Sequence, residues 1–112
     1  MTRLDALWEP LTIGNFKVKN RVMTSAHSLA YGDNHLLSDR HIAYYQERAA
    51  GGVGLLISEQ HAAHPLSTGS FVNCITAYED RAVPQLAKLA ETLAKHDCGF
   101  FVELFTTGVQ DK

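Results

Sequence analysis

The feature that most constrains this chain is an alternation of apolar strand-like runs with amphipathic helical segments. Residues 53–58 form a nearly continuous apolar run, which is typical of a strand buried on both faces of a parallel sheet. Helical spacing of apolar residues is found on either side of it, over residues 39–50 and about 81–96, and a second apolar run covers residues 100–105. Strands that alternate with helices predict an α/β fold with a parallel sheet and right-handed crossovers.

Local signals set the limits of the first helix and of the segment before it. Ser38 is a suitable N-cap, residues Ile42, Tyr45 and Ala49 share one helical face, and Gly51 and Gly52 end the helix. Upstream, residues 11–19 alternate around Gly14 and Asn15, which predicts a β-hairpin. Residues 21–26 then predict a first core strand, residues 59–80 a long loop, and residues 106–112 a polar tail.

Three strands and two helices do not complete a parallel sheet. The first and third strands would present open apolar edges, because a buried strand needs a neighbour on each side. A complete (β/α)₈ TIM barrel needs about 250 residues, whereas this chain has 112. We therefore expect residues 1–112 to be the truncated N-terminal portion of a single barrel domain: the hairpin, the first three strands and two helices.

Charge and composition narrow the range of partners. The net charge of -2 gives no reason to expect nucleic acid or an anionic membrane as a partner. No run of about 18 apolar residues predicts a transmembrane helix, and no signal-peptide pattern opens the chain. Cys74 and Cys98 lack a metal or redox spacing, so we expect free buried thiols and a cytoplasmic protein.

Ligands of parallel α/β sheets bind beyond the carboxyl ends of the strands. The predicted strand ends carry a series of polar residues that could serve this purpose. They are Ser25, Ala26, His27 and Ser28 after the first strand, Ser58, Glu59, Gln60 and His61 after the second, and Glu103, Thr106 and Thr107 at the third. Alternation along the third strand places Glu103 on the same face as Phe101 and Phe105.

Two long stretches and one short motif carry a resemblance to a known family. Residues 7–21 (LWEPLTIGNFKVKNR) and 42–59 (IAYYQERAAGGVGLLISE) are similar to the opening hairpin, first helix and second strand of the Old Yellow Enzyme family. Residues 101–105 (FVELF) with Gly108 resemble the start of its third-strand motif. The resemblance covers nearly the whole chain.

The resemblance implies a function and a set of cofactor contacts. Members of the family bind FMN, take hydride from NAD(P)H and reduce an activated alkene or a related small-molecule acceptor. The segment with Ser25, Ala26, His27 and Ser28 would then lie along the flavin. Ala26 stands where proline is common, His27 replaces a usual methionine, and Ser28 replaces a threonine bonded to the flavin O4.

The other implied contacts come from the second and third strands. Gln60 stands where relatives place a small residue against the flavin, so its backbone is the expected contact. Glu103 replaces a glutamine that pairs with the flavin N3–H and O2, and a carboxylate there should lower the flavin reduction potential. Thr106 and Val109 replace a usual histidine and arginine. The catalytic residues of the family come from later strands, as does its phosphate site, so no residue here is assigned a catalytic role and the chain alone is expected to be inactive.

Two other classes of function are compatible with the same residues. A metal-dependent barrel hydrolase could use His27, Glu59, His61, His64 and Glu103, since imidazole and carboxylate suit zinc or manganese. A non-catalytic interaction module could use the open strand edges to pair with itself or with a complementing C-terminal chain.

Overall fold

A computed structural model describes residues 3–108 of the chain. Residues 109–112, which include Val109 and most of the predicted polar tail, lie outside the described part. Strands β1 (Leu11–Ile13) and β2 (Phe16–Val18) form the predicted antiparallel hairpin. Gly14 in its turn has a φ of 58°, a left-handed conformation that glycine adopts without a steric penalty.

The main sheet is parallel and has its longest strand at the centre. Strand β4 (Leu55–Ala62) pairs with β3 (Met23–Thr24) on one side and with β6 (Gly99–Phe105) on the other. A two-residue strand, β5 (Ile75–Thr76), also pairs with the end of β4 in parallel. Within residues 3–108, β3 and β6 pair only with β4, which confirms the predicted open edges of the first and third strands.

Two helices cover one face of this sheet. Helix α1 (Asp39–Ala50) has the predicted limits, and the Ser38 hydroxyl accepts a 3.4 Å hydrogen bond from the backbone N–H of His41. Helix α2 (Val83–Ala94) follows a short 3₁₀ turn, Asp80–Ala82. The core lies between helices and sheet and comprises Leu37, Ile42, Tyr45, Ala49, Leu56, Ile75, Leu89, Leu93 and Cys98. None of the described helices is long and apolar enough to cross a bilayer.

The hairpin packs against the opposite face of the sheet, near its amino end. The ring centroids of Phe16 and Phe101 lie 5.6 Å apart. A Cβ atom at Gly99 would come within 2.6 Å of the Phe16 ring, so a larger residue at this position would force the ring to move from its place against β6.

The limits of two strands were predicted wrongly. The first core strand was expected over residues 21–26, but only Met23 and Thr24 pair with β4. The second strand was expected to end at residue 58, but it continues to Ala62, because β5 and β6 both pair with its polar end. Glu59, Gln60 and His61 therefore lie within a strand rather than in the long loop.

Candidate functional site

Gln60 and Glu103 are direct partners in the parallel ladder between β4 and β6. Partners on neighbouring strands project from the same face of a sheet. Alternation places Glu103 on the face of Phe101, which contacts the hairpin through Phe16. Gln60 and Glu103 thus stand side by side on the face away from the helices, towards the carboxyl ends of the strands.

A β-bulge in β4 brings Gln60 to this face. The ladder advances three residues on β4, from Ile57 to Gln60, while it advances two on β6, from Phe101 to Glu103. In a regular strand Gln60 would point to the face opposite Ile57, and the extra residue reverses this. The same bulge turns Glu59 towards the helices. Glu59 and Gln60 were grouped at one strand end from the sequence, but their side chains lie on opposite faces of the sheet.

The segment that follows β3 crosses to helix α1 and to the bulge. Nε2 of His27 and the Tyr44 hydroxyl on α1 are hydrogen-bonded over 2.8 Å, and Nδ1 of His27 lies 3.2 Å from the carbonyl of Ser25. The backbone N–H of Leu29 donates to Oε2 of Glu59 over 3.4 Å. Ser25 and Ser28 are exposed and Ala26 is half-buried, whereas the His27 imidazole is bound to α1.

Sequence reasoning did not foresee a buried pair formed by His41 and Glu59. His41 Nε2 hydrogen-bonds Oε1 of Glu59, and the side chains are 0% and 2% exposed. The backbone N–H of Ser38 donates to Nδ1 of His41 over 3.1 Å, so Nδ1 is the acceptor and Nε2 carries the proton. The detectable signal was a glutamate at the end of an apolar run, since a buried carboxylate needs a partner.

His61 is buried behind the same bulge. It is 1% exposed, and its Nδ1 lies 2.8 Å from the backbone carbonyl of Glu59. Burial lowers the pKa of this imidazole below its ordinary value. Its Nε2 has no hydrogen-bond partner among residues 3–108.

A family model described as the NADH:flavin oxidoreductase / NADH oxidase family matches residues 6–112. The chain belongs to this family. The predicted resemblance is therefore confirmed, and the chain is assigned to a family of flavin oxidoreductases.

Named relatives within this flavin oxidoreductase family agree. An N,N-dimethylglycine/sarcosine dehydrogenase of Chromohalobacter salexigens is 34% identical over 109 residues, which cover 93% of this chain and 15% of that protein. A 2-naphthoyl-CoA reductase, solved in complex with 2-naphthoyl-CoA, is 32% identical with a TM-score of 0.88 and covers 96% of this chain and 16% of its own.

An Old Yellow Enzyme from Pichia sp. AKU4542 is 26% identical with a TM-score of 0.83 over 92% of this chain and 27% of its own. The chain thus spans between about a seventh and a quarter of the length of these three relatives. Because it matches only part of these larger proteins, and has three parallel strands (β3, β4 and β6) at the positions of a barrel that has eight when complete, the predicted partial barrel is confirmed.

Polar side chains at the carboxyl ends of the strands, Gln60 and Glu103 on the open face and Ser28 in the segment after β3, fit a flavin. The side chains of Ser28, Gln60 and Glu103 make no hydrogen bond within the described residues, so their donors and acceptors are free for a ligand. The ring of a flavin presents an N–H and carbonyl oxygens, for which a hydroxyl, an amide and a carboxylate are suitable partners. The carboxylate of Glu103 can accept from the ring N–H but repels its carbonyl oxygens.

The residues named for a metal site are separated in the structure. Glu59 binds His41, His27 binds Tyr44, and His64 accepts from the backbone N–H of Leu66 over 3.3 Å. Within residues 3–108, no three His, Cys, Asp or Glu side chains are grouped so that they could hold a metal ion.

Proposed function

We propose that this chain supplies the N-terminal part of an FMN-dependent oxidoreductase that transfers hydride from NAD(P)H to an activated alkene or a related small-molecule acceptor. Residues 1–112 would be the first portion of a single FMN-binding barrel domain. Membership of the flavin oxidoreductase family supports this proposal. The pairing of Gln60 with Glu103 on the open face of the sheet is the structural observation that carries it.

The proposed contacts lie along one side of the flavin ring. Ser28 donates its hydroxyl to the flavin O4, and Glu103 accepts from N3–H. The backbone at Gln60 lies against the ring, and the segment from Ser25 through Ala26 to His27 runs beside it. When bound, FMN supplies the hydride chemistry between NAD(P)H and the acceptor, while these residues bind and orient it.

We propose that the chain alone is inactive. The residues that grip the FMN phosphate and the substrate carbonyl in the family come from later strands. Met23 on β3 and Leu104 on β6 are 53% and 61% exposed at the free edges of the sheet, so the chain would need further β/α units from a complementing chain, or would associate with itself. A cytoplasmic location is proposed with it, since Cys74 and Cys98 are free thiols.

The proposal is tested in a completed barrel, which we define as this chain joined to the part of the 2-naphthoyl-CoA reductase that follows its matched segment. We expect the completed barrel to bind FMN stoichiometrically, with quenched flavin fluorescence, and to be reduced by NADH or NADPH. The 112-residue chain, titrated with FMN in parallel, is expected to leave flavin fluorescence nearly unchanged. A completed barrel that unfolds cooperatively but binds no FMN would contradict the proposal, and tight binding by the chain alone would contradict its dependence on further units.

A further inference from the structure

The bulge in β4 depends on contacts that lie outside the proposed flavin site. A bulge leaves its extra residue unpaired in the ladder, so the buried backbone groups of that residue need partners outside the sheet. Here helix α1 supplies that support. The Tyr45 hydroxyl accepts from the backbone N–H of Glu59 over 2.9 Å, and His41 binds the Glu59 carboxylate.

The Glu59 carboxylate joins three elements that are distant in the sequence. One oxygen accepts a hydrogen bond from Nε2–H of His41 on α1. The other accepts from the backbone N–H of Leu29, which follows Ser28 directly. The residue itself sits in the bulge beside Gln60. A single side chain thus links helix α1, the segment that carries Ser28, and the strand that carries Gln60.

The position of the hydrogen on the His41 ring makes this link specific for a carboxylate. Its Nδ1 accepts from the backbone N–H of Ser38, so the imidazole must donate through Nε2. Leu29 also donates. Glu59 therefore faces two donors and needs two acceptor oxygens, which a carboxylate has and an amide lacks.

We propose that Glu59 and His41 are positioning residues of the flavin site: they hold the β4 bulge that presents Gln60 beside Glu103, and they fix the segment that carries Ser28. This inference rests on the proposed function for its consequence, but its structural part does not involve flavin. Neither residue touches the open face, so both act through Gln60 and Ser28.

The structural part is tested in the full 112-residue chain by hydrogen exchange of single backbone amides. In Glu59→Gln, an NH2 group that cannot accept replaces one of the two accepting oxygens. Because the 3.4 Å bond from Leu29 is the longer of the two, we expect the Leu29 amide to lose its acceptor and to exchange about tenfold faster. The Leu89 amide in the core of α2 reports global unfolding and should change less. Glu47→Gln, which alters an exposed carboxylate on α1, the helix that carries His41, is the matched control and should change neither amide.

A second variant keeps the test decisive if Glu59→Gln does not fold. Tyr45→Phe removes only the hydroxyl that accepts from the Glu59 N–H, and we expect faster exchange at the Glu59 amide. Tyr78→Phe removes a hydroxyl that is bonded to Thr68 instead and serves as its control. Equal acceleration at Leu29, Glu59 and Leu89 in both variants would show a general loss of stability and would overturn the positioning role.

The consequence for the cofactor is measured in the completed barrel. Glu59→Gln should raise the FMN dissociation constant about tenfold and shift the flavin absorption spectrum, while Glu47→Gln should change neither. An unchanged affinity and spectrum in Glu59→Gln would overturn this inference but leave the proposed function intact. Failure of the unsubstituted barrel to bind FMN would overturn the proposed function, and the positioning role with it.

Discussion

The two faces of the parallel sheet differ in how much of their apolar surface this chain buries. On the helix side, Leu56, Leu89 and Leu93 are fully buried, and the polar pair of His41 and Glu59 is mutually bonded. On the other face and along the free edges, large apolar side chains remain exposed: Leu11, Ile13, Phe16, Met23, Phe101 and Leu104. The helix side is where the chain buries its large apolar side chains, and the open side is where it leaves apolar and polar side chains exposed.

The largest effect should come from core truncation on the helix side. Leu93→Ala removes a side chain that is 0% exposed, and we expect it to lower the free energy of unfolding by about 3 kcal/mol, measured in urea. Leu104→Ala truncates the same residue type at the free edge, where it is 61% exposed, and should cost less than about 0.5 kcal/mol. Similar losses in the two variants would contradict the contrast between the buried core and the free edge.

A smaller effect should appear in the pH dependence of stability. Burial lowers the pKa of His61 in the folded chain, so the unfolded chain takes up its proton more readily below the ordinary pKa of 6.5. The stability that neutral, buried His61 contributes is fully present above pH 6.5. It is lost as the pH falls from 6.5 to the lowered pKa of the folded chain, and the free energy of unfolding changes by at most about 1.4 kcal/mol per pH unit. His61→Gln should flatten this slope, whereas His64→Gln, at an exposed position, should not. If His61→Gln left this slope unchanged, the pH dependence would not come from His61.

The smallest effect on stability should come from the open face. Glu103→Gln changes an exposed side chain without a described partner, and the free energy of unfolding should shift by less than about 0.5 kcal/mol. In the FMN-loaded completed barrel the same change should raise the flavin reduction potential, because it removes a negative charge from the proposed position beside the ring. Potentiometric titration that gives an equal or lower value for the Gln form would refute that position.

The sequence predicted those elements whose limits are set by local chemistry. Helix α1 begins after Ser38 and ends before Gly51 as expected, because a hydroxyl cap and a glycine pair act within one turn. Strand β6 was predicted to within one residue, since an apolar run and a turn at Asp97 and Cys98 mark its start.

The parts that could not be predicted depend on contacts between distant residues. The bulge in β4 shows only in its pairing with β6, so a period-two reading places Glu59 on the face of Ile57 and Gln60 on the helix side, the reverse of what is found. The pairing of His41 with Glu59 was missed for the same reason, because the two residues are 18 positions apart. The contacts of Ser25, Ala26, His27, Ser28, Gln60 and Glu103 with a flavin stay predictions.

The most direct test is to locate the flavin relative to this chain in the FMN-loaded completed barrel, with nuclear Overhauser effects between the flavin ring protons and the isotope-labelled chain. We predict contacts from the ring to Ser28, Gln60 and Glu103 together. A bound flavin that contacts none of the three, or that lies on the helix side of the sheet, would contradict the account.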